Sequence, residues 1–86
     1  MKLTIEISMY PLRSDYEKQV IDFISELRSY ELDEVKVNAM STQVVGEHDL
    51  VMEAIHKSVG RVYENHVKAS FVMKILPGGL DLDFKM

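Results

Sequence analysis

The residues whose types and spacing could do chemistry gather in one stretch, Val35-Lys36-Val37-Asn38-Ala39-Met40-Ser41-Thr42-Gln43-Val44-Val45-Gly46. It reads as two short strands with almost nothing between them. Alternation of Val35, Val37 and Ala39 puts Lys36, Asn38 and Met40 on the other face, with Ser41 and Thr42 in a tight turn beside it. Asn38 offers a paired donor and acceptor, the two hydroxyls add more, and Met40 is a deformable apolar wall. Tyr10, at the end of an earlier strand, adds a flat ring. Such a mixture suits a flat heteroaromatic guest with polar edges. Glu6 could pair with a ring nitrogen, or equally with Lys74.

The competing reading of the same face is an oligomer interface without a ligand, in a structural or regulatory interaction module. Catalysis finds less support. His48, His56 and His66 lack the i, i+4 spacing of helix-borne metal ligands, and the chain has no cysteine to join them. Ser41 has no histidine near it in the expected topology, which leaves no nucleophile–base pair. Gly78-Gly79 follows a strand with no helix behind it and is too short for a phosphate loop. An acylphosphatase-type site would use Arg13 and Asn38, but the glycine-rich cradle is missing. The expectation is a protein that is not an enzyme and uses no cofactor or metal.

The elements that must position these residues follow from the rest of the chain. Leu3, Ile5, Ile7 and Met9 alternate with Thr4, Glu6, Ser8 and Tyr10, a period-two strand that Pro11 ends. Ser14-Asp15-Tyr16-Glu17 has the form of a capping box. The helix after it puts Tyr16, Val20, Phe23, Ile24 and Leu27 on one face. Strands are expected at about 35–40 and 42–45. A second helix then buries Val51, Ile55, Val59, Val62 and Tyr63, with Glu47 and Asp49 near its positive N-terminus. Gly60 within it is expected to allow close packing against a strand. A fourth strand over 69–76 alternates Ala69, Phe71, Met73 and Ile75 with Ser70, Val72 and Lys74. After the Pro77-Gly78-Gly79 turn, Leu80, Leu82 and Phe84 alternate with Asp81, Asp83 and Lys85, as a short extra strand or an arm that docks on a partner.

The order β-α-β-β-α-β specifies an α+β, ferredoxin-like fold: a four-stranded antiparallel sheet with both helices on one face. Right-handed crossovers give the strand order 4-1-3-2. Tyr10, Ser14, the Ser41-Thr42 turn and Lys68 then share one edge of the domain. Parity places Ser8, Tyr10, Asn38 and Met40 on the open face, away from the helices.

Length and composition agree with one domain over 1–86. A chain of 86 residues, 47% hydrophobic, can fill one core but not two. Its net charge is −4 with both signs interspersed, which disfavours nucleic acid. The charged, alternating N-terminus is unlike a signal peptide, and no stretch is long enough to span a bilayer. A soluble, cytoplasmic protein is expected. A core this small is marginal alone, so self-association is expected too.

Three segments carry a resemblance: Met9-Tyr10-Pro11-Leu12, Asn38-Ala39-Met40-Ser41-Thr42-Gln43-Val44-Val45-Gly46 and Lys68-Ala69-Ser70-Phe71-Val72-Met73-Lys74. With the helix start at Asp49-Leu50-Val51-Met52, they resemble the YkoF-like family of thiamine- and hydroxymethylpyrimidine-binding proteins over nearly the whole chain. The resemblance implies a βαββαβ domain that holds the pyrimidine part of thiamine without transforming it, in uptake or salvage. It implies ligand-binding roles for Tyr10, Asn38, Met40, Ser41 and Thr42, with Ser8 and Gln43 further out. Some members of the family are tandem duplications. A single copy like this one is then expected to pair into dimers or tetramers.

Overall fold

The computed structural model describes residues 1–84; Lys85, the last step of the tail's expected alternation, lies outside the described residues together with Met86. Its elements are β1 (Lys2–Pro11), α1 (Tyr16–Arg28), β2 (Glu34–Val37), β3 (Thr42–Glu47), α2 (His48–Glu64) and β4 (Ala69–Pro77). They form one antiparallel sheet in the order β2-β3-β1-β4, the order the crossover rule gives. The fold is ferredoxin-like α+β.

The core lies between the sheet and the helices. Alternation along β1 sends Leu3, Ile5 and Ile7 inward, where they meet Val44 of β3, Phe23 and Leu27 of α1, and Val51, Ala54 and Ile55 of α2. The helices pack on each other and meet the sheet mainly at β1 and β3. From β4, Phe71 reaches in and packs on Phe23 with ring centroids 5.1 Å apart.

Several local expectations are corrected. Asp15, not Ser14, stands at the N-cap of α1, and no side chain caps the first turn, so the capping box does not form. Asp15 instead accepts from Gln19 Nε2 at 2.9 Å and pairs with Arg13. Tyr63 is 82% exposed rather than buried; it stands one residue before the end of α2, beside Val62, which does pack on the core. A Cβ at Gly60 would meet nothing within 4 Å, so that glycine serves no close approach. Met73 and Ile75, in phase with the core, are exposed.

The described residues of the tail form no extra strand, and they dock on the protein's own sheet. Gly78 adopts φ +121°, a value that favours glycine, and turns the chain over the open face. Its carbonyl accepts from Thr4 Oγ1 at 2.8 Å, and the Thr4 hydroxyl oxygen in turn accepts from Leu80 N at 3.0 Å. The arm then crosses to β2, where Lys36 Nζ donates to the Leu82 carbonyl at 3.2 Å and pairs with the Asp83 carboxylate. Hydrogen bonding to Asp83 raises the Lys36 pKa above the ordinary lysine value.

Candidate functional site

β2 stops at Val37 because Asn38 turns the chain. Its backbone N–H donates to the Ser41 carbonyl at 3.1 Å, and its Oδ1 accepts from Met40 N at 2.8 Å and Ser41 N at 3.0 Å. An asparagine side chain that takes over backbone partners in this way closes a turn without glycine. The strand alternation expected through Met40 therefore ends three residues early.

The tip of this hairpin is fastened to β1. Ser8 Oγ donates to the Met40 carbonyl at 3.4 Å, and Ser41 Oγ donates to Glu6 Oε2 at 3.0 Å. Lys74 Nζ stands 3.6 Å from Glu6 Oε1. The Glu6–Lys74 pair weighed from sequence thus forms on the open face.

Between this hairpin, the end of β1 and the first half of α1 lies a cavity of about 390 Å³. Ser8, Tyr10, Asn38, Met40, Ser41 and Thr42 all line it. Gln43 does not; it faces a smaller cleft of about 310 Å³ beneath the arm, with Thr4, Glu6 and Lys74. The structure so brings six of the seven expected residues together around one space.

Where that space lies differs from expectation. Ile7 and Met9, the helix-facing residues of β1, line it, and α1 walls it with Tyr16, Val20, Phe23 and Ile24. It therefore lies at the sheet edge with a helix-side wall, and not on the open face alone. Thr42 shows the reason. It pairs in register with Ile7, and directly opposed residues share a face, so its side chain is buried beside the core. Tyr16 and Val20 escaped sequence reasoning because helical periodicity assigns them to the core stripe. Tyr16 is exposed at the helix start, where α1 has not yet closed onto the sheet.

Electrostatically the cavity is close to neutral. No ionisable group other than the tyrosine phenols lines it. Arg13, the cation an acylphosphatase-type site would need, lies outside, its Nε 2.9 Å from Asp15 Oδ1. Hydrogen bonding from Gln19, then the Arg13 charge, holds Asp15 below the usual carboxylate range. Among the described residues, no group of three or more histidine and carboxylate side chains is placed to hold a metal. The chemistry on offer is apolar enclosure, three aromatic rings, and a few neutral donors and acceptors.

Comparison with known proteins adds the following. No protein-family model and no curated protein matches the chain. Solved structures do. A hypothetical protein from Methanocaldococcus jannascii superposes with a TM-score of 0.75 at 26% identity, over 98% of this chain and 84% of its own. A domain of unknown function, DUF77, from Bacillus cereus gives 0.78 at 19%, over 96% and 85%. A Thermotoga maritima protein, described as a candidate thiamine biosynthesis/salvage protein, gives 0.73 at 17%, over 96% and 92%. The fold is shared. At 17–19% identity, the latter two show the fold alone. Among the described residues, no helix is long and apolar enough to cross a membrane.

Proposed function

We propose that this protein binds thiamine, or its hydroxymethylpyrimidine part, without transforming it, in uptake or salvage of the vitamin. The observation that carries the reading is the cavity of about 390 Å³ beside the Asn38 turn, within the usual range of small-molecule sites. Ile7, Val20 and Ile24 supply walls that exclude water from the faces of a flat ring, and Tyr10 and Tyr16 can stack on it. The polar groups suit an aminopyrimidine edge. Both lone pairs of Asn38 Oδ1 are engaged in the turn, so its free amide hydrogens are left for a ring nitrogen. The Ser41 hydroxyl already donates to Glu6, which leaves its oxygen to accept from an exocyclic amine.

The largely apolar lining with its neutral polar groups suits binding, and no cofactor is invoked. The sequence resemblance and the description of the Thermotoga maritima protein point to the same ligand class.

Titration calorimetry and thermal shift with thiamine and with hydroxymethylpyrimidine test the proposal. A ligand that prefers the native state must raise the melting temperature. Asn38→Asp keeps the acceptor the turn needs and removes the amide donor, so it is expected to weaken binding about tenfold, the loss of one hydrogen bond, without unfolding the hairpin. Absence of both heat and thermal shift at about 1 mM of either ligand, where even weak binding registers, would overturn the reading.

A further inference from the structure

The arm that crosses the open face does not lie flat on it. Between arm and sheet remains the cleft of about 310 Å³, which shares no lining residue with the cavity beside Asn38. Its volume is at the lower end of the range for small-molecule sites. Its floor is a row of three side chains abreast, since Gln43 and Lys74 are the cross-strand partners of Glu6 on either side. Leu76 lies beside the row, and Leu80, Asp81 and Leu82 form the roof. A segment that served only to cover the sheet would close down on it, yet Leu80 is 52% and Leu76 40% exposed.

The row carries opposite charges that do not satisfy each other. Lys74 Nζ stands 3.6 Å from Glu6 Oε1, too far for a hydrogen bond, and its side chain is 79% exposed. The N–H groups of that ammonium are left for another acceptor, and Glu6 Oε1 for another donor. Glu6 is oriented in advance, because Ser41 Oγ donates to its Oε2 at 3.0 Å. Gln43 adds an amide donor and acceptor alongside. Two carboxylates, Glu6 and Asp81, against one lysine disfavour a phosphate or other pure anion, and the lysine disfavours a bare metal cation.

We propose that this cleft is a binding site for a free α-amino acid with an aliphatic side chain, of the size of leucine or valine. Such a molecule carries an ammonium and a carboxylate side by side, the inverse of the Glu6–Lys74 pair. Its ammonium sits on Glu6, its carboxylate on Lys74 and the Gln43 amide, and its branched side chain among Leu76, Leu80 and Leu82. Charge-assisted hydrogen bonds at both polar groups fix its orientation, and the leucines supply the apolar contact. The base of the arm is fastened to Thr4, through the Gly78 carbonyl at 2.8 Å and Leu80 N at 3.0 Å. Its tip is held at Lys36 by an exposed ion pair, which opens at little cost, so the roof can lift to admit the ligand. The site does not depend on the ligand reading of the larger cavity.

Titration calorimetry with L-leucine, up to about 10 mM so that even a millimolar site registers, is the test. Saturable heat is expected with L-leucine. Leucinamide lacks the carboxylate, N-acetyl-leucine the ammonium and L-glutamate the apolar side chain, and each is expected to bind at least about tenfold more weakly. Lys74→Met should weaken L-leucine binding by a similar factor, the loss of one charge-assisted hydrogen bond. Lys57→Met, in an exposed pair on α2, should leave it unchanged. The Leu80 and Leu82 methyl resonances of the unaltered protein should shift along the same titration curve, a readout that stands even if a variant does not fold. No heat up to about 10 mM overturns the proposal. So does binding that survives Lys74→Met or is lost equally in Lys57→Met, equal binding of any of the three analogues, or saturation that leaves the arm methyls unmoved.

Discussion

β2 and β4 are the two edge strands of one sheet, and they could hardly be dressed more differently. β2 has four residues, ends in a side-chain-closed turn, and carries a lysine that clasps the C-terminal arm. β4 has nine, with no helix laid along it and apolar side chains on both faces. A short, charged edge resists the addition of another strand, and a long apolar one invites it. The difference locates two roles at opposite margins of the fold. The β2 margin holds the candidate cavity, and the β4 margin is free to meet another molecule.

The largest effect that would sharpen this contrast comes from one cross-strand pair. Ile5 and Ile75 face each other in register, the first fully buried and the second half exposed. Ile5→Ala should cost about 2–5 kcal/mol in urea unfolding, the range for emptying a packed core site. Ile75→Ala, measured in dilute protein, should cost less than about 1 kcal/mol, because little of the side chain leaves water in the monomer. Equal losses would mean that β4 is as much a part of the monomer core as β1.

Next in size is the end of β2. Asn38→Ala removes the acceptor of two backbone N–H groups and should destabilise the fold by about 1–2 kcal/mol, with Asn38→Asp close to neutral. If both substitutions cost the same, the turn does not hold the hairpin. Gly60, far from either edge and with open space where a Cβ would go, is an internal control. Gly60→Ala should stabilise α2 by about 0.5–1 kcal/mol, visible as a raised melting temperature without any change in association or binding.

The smallest effect belongs to the arm. Lys36→Met should leave the unfolding midpoint nearly unmoved, since the ion pair to Asp83 is exposed. The Leu80 and Leu82 methyl resonances should shift toward free values. The pH dependence has a definite sign. The Lys36 pKa is raised in the fold by its hydrogen bond to Asp83, so the stabilisation tied to its proton is complete below the ordinary lysine value. It is lost only as pH rises through the raised one. Those methyl resonances are therefore expected to hold steady through neutral pH and to move only in strong alkali.

Element order, strand order and the polar part of the cavity lining were legible in the sequence, because period-two and helical patterns are local. What escaped was non-local or stereochemically fine. Asn38 looks like any strand residue until its carbonyl is seen to take two amides, and that turn is what ends the alternation. Tyr16 and Val20 sit on the core stripe of α1, and only the gap between that helix and the sheet edge turns them into a wall. The arm's route depends on Thr4 and Lys36, distant in sequence and unremarkable in type. The β4 residues fooled the pattern the other way: Met73 and Ile75 alternate like core, but no helix was wide enough to cover them.

The fastening of the hairpin tip has a further consequence, one of timing. Asn38, Met40 and Ser41 are tied among themselves, and the turn is tied to β1 through Ser8 and Glu6. That wall of the cavity is therefore in place before any guest arrives. A guest would not have to order a loop on entry, so little of its contact energy would be spent on conformational entropy. Capture should then be a single kinetic step, with a rate set by diffusional encounter and residence time set by the contacts alone.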